Sequence, residues 1–492
     1  MFKSPLPTWL LILLIVTFVL RVPSFFEPYW YGDEGITLTL GQGISNGLVL
    51  YRDLIDNKPP LLYLIAAVAG NQFWLKAILA FWSLATIVFF WKLISNLFNK
   101  EGVVRYATIV FAILITLPLL EGNIANGEIF ILLPTILAYL LLFTTAPTVK
   151  NVFLAGLILG IGVLFKLPAI FDIGAPIGLW LVLTFAKKFK FSEFLKLTTT
   201  FIIAVLTPLG LTVVYYAAVG LLNEYFQLAL LANIGYLSTW SATAAEGTFF
   251  TRNQDLIIRA GLVIFGFLIL NAFFQKGKIT KSFFFVSFWF LCSLFAATLS
   301  ERPYPHYLLQ VIPSLSLMLG IALSASGREQ FLAYPMFLTL GAVLVIFKFY
   351  YYPVFTYYEN FIKFAAHQQS QNQFFANFDS RTPRNYEVAR FLTQSARPGD
   401  KLFIWGDDPE LYALSKLTPA TPYVAAYHVA YYRKFDEVAQ ILSTTPPRFI
   451  VTTQNLSSFP ALITILDQIY VKVTQVDQTR VYLQINSDDN PR

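Results

Sequence analysis

The chain has 492 residues, of which 56% are hydrophobic and only 13% charged, with a mean hydropathy of +0.61 and a formal charge of +7. A soluble domain carries about 25% charge, so this composition describes a polytopic membrane protein. The basic residues fall in short clusters between apolar runs, which marks loops of a membrane protein and excludes a nucleic-acid partner.

The first predicted element is the apolar run at 6–22. It has a basic residue before it but no small-x-small cleavage site, and Arg21 follows its core directly. It reads as an uncleaved first transmembrane helix and not as a secretory signal. Further runs of spanning length lie near 74–97, 103–119, 128–146, 150–166, 168–186, 197–220, 256–274, 282–299, 305–324 and 331–350. The expected fold class is a polytopic α-helical membrane protein with about 11 transmembrane helices. The run "PPLLYLIAAVAG" at 59–70 is too short to span alone.

Lys3, then Lys92, Lys100 and Arg105, then Lys150, "KKFK" at 187–190, "QKGKITK" at 275–281 and Arg328 fall at alternate helix ends. The positive-inside rule puts these ends, and the N-terminus, in the cytoplasm. The opposite ends then face outward: 23–58, "EGNIANGE" at 121–128, the neighbourhood of Lys166, the loop 221–255, "SERPYPHY" at 300–307, and everything after about 351. An odd number of crossings agrees with a C-terminus outside.

The tail becomes polar and turn-rich near 351. "RNYEVARFLTQSA" reads as an amphipathic helix, "DKLFIWG" as a strand, and "DDPELYALSKL" as a helix with Asp408 as N-cap and Pro409 at its first position. "FDEVAQIL", "RFIVTT" and "QTRVYLQI" continue as helix, strand and strand. The expected domains are therefore a membrane domain at 1–350 and a small extracytoplasmic α/β domain at 351–492. Strand, turn and cap account for "GDDPE" without a metal, while Trp405 beside it is a candidate for stacking on a sugar. No internal repeat or low-complexity tract is visible.

A single cysteine, Cys292, excludes intrachain disulfides and cysteine-based metal sites. The three histidines, His306, His367 and His428, lie too far apart in sequence for a helical zinc motif.

The outward loops hold most of the informative charges. Asp33 and Glu34 sit together after the first helix, followed by Ile36, Leu40 and Ile44 at four-residue spacing, which suits a helix on the membrane surface. The plain reading of Asp33 is an N-cap. Arg52, Lys58, Lys166 and Arg302 are cations on the outward face, against the positive-inside bias. Each has a structural alternative, in snorkelling or in pairing with Asp53, Asp56 or Glu301. Together they suit an anionic headgroup, most simply a phosphate. Glu128 opens the fourth helix, either as a charge on its dipole or as a site residue. His306 and Tyr307 open the tenth as an interfacial aromatic pair or as part of the site. A carboxylate beside cations fits transfer to a hydroxyl: the carboxylate takes the proton and the cations stabilise a departing phosphate. No DxD occurs in the exposed loops, so no cofactor is required on this reading and a divalent metal is optional.

Several of these stretches, in order, resemble the GT-C superfamily of polyprenyl-phosphate-sugar glycosyltransferases. The branch is the one with protein O-mannosyltransferases and the lipid A aminoarabinose transferase. The stretches are "GDEG", "NGLVLYRDLIDNKPPLLY", "NGE" at 126–128, the Gly-rich "GLILGIGVLFKLPA" at 156–169, and "RPYPHYLLQVIPSLSL" at 302–317. The resemblance covers about 1–350 and leaves the C-terminal region without a matching motif. It implies Asp33 as catalytic base and Glu34 as the neighbouring carboxylate that positions acceptor or donor. It implies Lys58 and Lys166 near the lipid phosphate, and Glu128, His306 and Tyr307 near the donor.

The expected function is inverting transfer of a sugar from a polyprenyl-phosphate donor to an acceptor hydroxyl on the outer face. The implied partners are that lipid-linked sugar, a lipid, glycan or protein acceptor, and membrane lipids. Protein O-mannosyltransferases place a β-trefoil in an internal loop, for which there is no room here, so protein is the weaker acceptor. The alternatives are a lipid-linked glycan transporter or flippase, en bloc transfer of an oligosaccharide, and a binding scaffold whose working part is the tail. A transporter keeps its ionisable groups near the midplane, often in repeated halves, unlike this charge placement.

Overall fold

The structure, a computed structural model, describes residues 5–236, 250, 253–324 and 327–485. Of the expected loop at 221–255, residues 237–249, 251 and 252 lie outside the described residues.

Helices occupy all eleven expected apolar segments. Eight described helices are long and apolar enough to cross a membrane: Thr8–Phe26, Gln72–Leu97, Gly127–Thr144, Leu167–Phe185, Phe191–Ala218, Gln254–Gln275, Pro305–Ser324 and Arg328–Phe347. Glu101–Leu114, Val149–Val163 and Lys281–Ala297 are shorter, at 14, 15 and 17 residues. The chain is a multi-pass membrane protein. A helix is the form these segments must take, because it satisfies its own backbone hydrogen bonds where water is absent.

By compactness the chain divides into two units, which are not separated by a single cut near 350. The first comprises Met1–Val22, Ile78–Leu222 and Leu230–Val354; the second comprises Pro23–Ala77, Asn223–Ala229 and Phe355–Arg492. The loop that follows the first helix and the polar tail thus belong to one body.

In the first unit, small residues bring helices together. A Cβ on Gly156 would stand 2.5 Å from the Cβ of Ala204 and 2.8 Å from the carbonyl of Phe201, and Gly160 abuts the carbonyl of Val205 and the ring of Pro208. One turn apart, these two glycines lay Val149–Val163 against Phe191–Ala218 in the small-xxx-small manner of membrane helices. This contact accounts for the Gly-rich motif and sets where its terminal lysine emerges. A buried carboxylate, Asp172, ties further helices: Trp289 Nε1 donates to it at 3.2 Å and Gln310 Nε2 at 3.1 Å.

In the second unit, a five-stranded sheet has the order β2-β1-β3-β5-β4. Its strands are β1 (Lys401–Trp405), β2 (Thr418–Pro419), β3 (Phe449–Thr452), β4 (Tyr470–Val476) and β5 (Thr479–Gln484). β1 runs parallel to β2 and β3; β5 runs antiparallel to β3 and β4. The expected elements of the tail are present, with four more helices that their mixed patterning hid: Val354–Ala365, Gln371–Ala376, Ala426–Tyr432 and Pro460–Ile469. Ile55, in the loop that follows the first helix, belongs to the same buried cluster as Phe403, Trp405, Ile450 and Phe459, and its N–H donates to the carbonyl of Pro422 at 2.9 Å.

Three expectations are corrected here. Trp405 is not a sugar platform: it is 2% exposed and its Nε1 donates to the carbonyl of Asn455. Asp408 does not cap the following helix, Glu410–Ser415, whose N-cap is Pro409. Its carboxylate is taken by Arg384 at 2.6 Å, Asn385 at 3.2 Å and Thr453 at 2.5 Å. Nor does Gly32–Ser45 bury a single stripe: every residue from Glu34 to Gly41 is buried. The reason is close packing on several sides. Gly41 would meet the backbone of Ala66 at 2.6 Å, Gly43 would meet Leu54 at 2.5 Å, and Gly35 would meet Glu410 at 2.9 Å.

Candidate active site

The charged residues of the loops expected to face outward form two clusters, one in each unit. In the second unit, Gly32–Ser45 begins after Tyr31, whose extended backbone occupies the N-cap without a side-chain cap. Asp33 therefore does not cap the helix. It stands with Glu34 in the first turn, where the helix dipole favours negative charge.

The two carboxylates have different surroundings. Asp33 keeps 36% of its side chain exposed, and its Oδ1 lies 4.0 Å from the Lys58 ammonium. Glu34 is buried, and its carboxylate meets Lys76 at 2.8 Å, with Glu27 meeting the same ammonium at 2.8 Å. The Tyr357 hydroxyl donates to Glu27 at 2.6 Å. Glu34 thus anchors the helix, in a buried ion group whose disruption costs about 3–5 kcal/mol. Lys76 and Glu27 were not singled out from the sequence. Their spacing, 49 residues apart, carries no local signal.

Lys58 is held from below by Asp56. Its Nζ lies 3.2 Å from Asp56 Oδ2, to which the Tyr63 hydroxyl also donates at 2.6 Å. The Asn57 N–H donates to Oδ1 at 2.7 Å, and His428 Nε2 stands 3.8 Å from that oxygen. Burial alone would push the Asp56 carboxyl up; the Lys58 charge, His428, Tyr63 and the Asn57 N–H outweigh it and bring it down to about 2. Burial lowers His428 against the pull of Asp56, so its imidazole is neutral at neutral pH. Asp56, Tyr63 and His428 belong to this cluster and were not among the candidate site residues read from the sequence. Asp56 read only as a pairing partner for a cation, and His428 lies hundreds of residues away.

Arg52 is not part of this cluster. It pairs with its neighbour Asp53 at 2.8 Å and is 57% exposed. Two adjacent oppositely charged side chains on a turn satisfy one another, which leaves no geometric reason for a ligand role.

In the first unit, the other cluster is built on "NGE". The Asn126 amide donates to Glu121 at 3.0 Å. Gly127 allows close approach, since a Cβ there would stand 3.0 Å from the carbonyl of Phe165 and 3.3 Å from the Cβ of Lys166. Glu128 pairs with the Lys166 ammonium, which lies 4.6 Å over the ring centroid of Tyr307. His306 bridges the two acids: Nδ1 is 2.6 Å from Glu121 and Nε2 is 3.7 Å from Glu128. Burial and Glu121 also push the Tyr352 phenol up. The structure therefore brings together Glu128, Lys166, His306 and Tyr307, and adds Glu121 and Tyr352. Arg302, also predicted, is half-buried four residues before His306. Its neighbour Glu301 pairs with Arg259 at 2.6 Å.

No protein-family model matches the chain, and no curated protein matches its sequence. Among solved structures, ArnT from Cupriavidus metallidurans bound to undecaprenyl phosphate overlays with a TM-score of 0.57 at 13% identity, over 98% of this chain and 99% of that one. ArnT in the apo state overlays at 0.53 with the same identity and coverage. The chain has the fold of ArnT. The likeness runs through the polar tail as well as the membrane helices, so the tail is part of the shared ArnT architecture, although no motif in it announced this. The expected polytopic helical fold with a small C-terminal sheet is the one this chain adopts. The archaeal oligosaccharyltransferase AglB from Archaeoglobus fulgidus overlays at 0.46, over 98% of this chain and 75% of that one, too loosely to argue from.

Proposed function

We propose that the protein is an inverting glycosyltransferase that moves a sugar from a polyprenyl phosphate to an acceptor hydroxyl on the outer face of the membrane. The observation that carries this reading is the Asp33–Lys58 pair. It combines a partly exposed carboxylate in the first turn of a buried helix with an ammonium 4.0 Å away, itself fixed by a buried anion. ArnT, whose fold this chain has, binds undecaprenyl phosphate, which supports a polyprenyl phosphate as the donor's lipid.

On this reading Asp33 accepts the acceptor's hydroxyl proton. The oxygen forms a bond to the anomeric carbon as the bond from that carbon to the phosphate oxygen breaks. The electron pair leaves with the polyprenyl phosphate, and one displacement inverts the configuration. Lys58 offsets the charge that gathers on the leaving phosphate. Asp33 and Lys58 must not collapse into a tight salt bridge, or neither would act. The Asp56 anchor at 3.2 Å holds Lys58 back from Asp33. In the first unit, the Lys166 ammonium, held by Glu128 and the Tyr307 ring, is by itself a candidate for binding a phosphate. This chemistry requires no metal, and a divalent ion would add to the cationic charge on the phosphate.

The test supplies purified protein with polyprenyl-phosphate sugars and a panel of lipid, glycan and peptide acceptors. Transfer should appear with inverted anomeric configuration and fall at least about a hundredfold in Asp33→Asn, the range that general bases supply. Transfer by Asp33→Asn at the wild-type rate refutes the base assignment.

A further inference from the structure

The helix that carries Asp33 is gripped along one face by the polar tail. Gly35, Thr39 and Gln42 recur at i, i+4 and i+7, which is one helical stripe. A Cβ on Gly35 would stand 2.9 Å from the backbone nitrogen of Glu410, 3.0 Å from its Cγ and 3.2 Å from Pro409 Cγ. The Thr39 hydroxyl donates to the carbonyl of Pro409 at 3.1 Å, and the Gln42 amide donates to the carbonyl of Ala413 at 3.2 Å. All three partners belong to "DDPELYA", the turn and helix that follow β1. One turn earlier on the same stripe, a Cβ on Gly32 would stand 4.0 Å from Glu410 Oε1. The Glu410 carboxyl therefore lies over the turn made by Gly32, Asp33, Glu34 and Gly35. The two glycines of "GDEG" are where this contact is made.

Glu410 is 4% exposed, and its Oε2 has no hydrogen-bond partner among the described residues. A charged carboxylate so placed is costly, while a neutral acid is not. The charged groups that act on it are Asp408 on its own turn and Asp379 and Arg381 just ahead of Thr382–Ser395. Burial pushes the Glu410 carboxyl up to about 8, with Asp408 and Asp379 adding to it and Arg381 opposing.

We propose that Glu410 is a positioning residue for Asp33: as a neutral acid packed on Gly32 and Gly35, it fixes the turn that presents the base. The polar tail is then part of the transfer apparatus and not an appendage. This rests on the glycosyltransferase reading, in which Asp33 is the base. Glu410 does not touch substrate and acts only through the Gly32–Ser45 helix. Deprotonation puts an unpaired charge against that turn and displaces it.

The experiment uses the full chain in nanodiscs, with transfer followed from about pH 6 to about pH 10, so that each arm of the profile can be assigned. Wild-type kcat should fall as pH rises through about 8, by about tenfold for each pH unit beyond it. Glu410→Gln keeps the shape and stays neutral, so it should match wild type near pH 7 and lose the alkaline fall. Glu410→Ala should lose kcat by about tenfold or more with little change in donor KM, because the base is displaced and the donor site is not. An unchanged alkaline fall in Glu410→Gln, or a folded but inactive Glu410→Gln, overturns the proposal. Infrared difference spectroscopy gives a readout that needs no activity. A protonated carboxyl band should vanish above about pH 8 in wild type and be missing in Glu410→Gln. If that band is absent from wild type, the Glu410 assignment fails whatever Asp33 does. If the band is present but Asp33→Asn transfers normally, the base assignment fails instead.

Discussion

Replacing Asp56 by Asn tests the foundation under Lys58. The carboxyl ordinarily titrates near 3.8 and here titrates at about 2. That gap, at about 1.36 kcal/mol per pH unit, amounts to ~2.5 kcal/mol in favour of the charged form in the folded protein. The sign follows from the direction. The folded value is depressed, so this stability is fully present above the unfolded value and is lost as pH falls through about 2. Asn keeps an acceptor for Tyr63 and cannot carry the charge, so it mimics protonated Asp56 at every pH. Unfolding of wild type and Asp56→Asn in detergent, compared from pH 7 downward, should differ by ~2.5 kcal/mol near neutrality and converge in strong acid. Activity should drop as well, because Lys58, 16% exposed and released from its 3.2 Å anchor, can move toward Asp33 and pair with it. An Asp56→Asn protein as stable as wild type at neutral pH, or a difference that persists unchanged in acid, refutes the account of Lys58 as held by a buried anion.

Two further outcomes follow from the clusters. Lys166→Met removes a charge-assisted contact to the donor phosphate, worth about 1.5–3 kcal/mol, so kcat/KM for the donor should fall roughly 10- to 100-fold, with partial recovery in Lys166→Arg; undiminished donor affinity in Lys166→Met places the phosphate elsewhere. Arg52→Ala breaks an exposed pair with Asp53 and should change kcat/KM by no more than about twofold; a loss beyond tenfold in transfer kinetics puts Arg52 back among the phosphate ligands.

Much of the candidate site was legible because its signals are local. "GDEG", "KPP" and "NGE" are short, charged interruptions of an apolar chain, and ionisable groups beside a membrane stand out against hydrocarbon. Asp33 with Lys58, and Glu128 with Lys166, His306 and Tyr307, were found in this way and are grouped by the structure. Glu34 and Arg52 were chosen on the same signal and are each paired within the protein, because charge in a sequence does not reveal which partner satisfies it. Glu34 is answered by Lys76 from a helix that follows the loop, and Arg52 by the adjacent Asp53. In the tail, strand and helix patterning showed most elements, but not that Asp408 is taken by Arg384, Asn385 and Thr453 instead of capping its helix.

What the sequence determined by itself is what short-range physics dictates. Runs of apolar residues must become helices in a bilayer, since nothing else satisfies their backbone, and turn chemistry with alternating patterning yields the tail's strands. What only the tertiary structure decided is which distant residues share a boundary. It puts the loop after the first helix and the tail in one unit, sets His428 beside Asp56, and seats Glu410 on the glycines that flank Asp33. Those contacts join residues hundreds of positions apart. They arise from close packing and the pairing of buried charge, which depend on where the chain returns in space and leave no trace in local spacing.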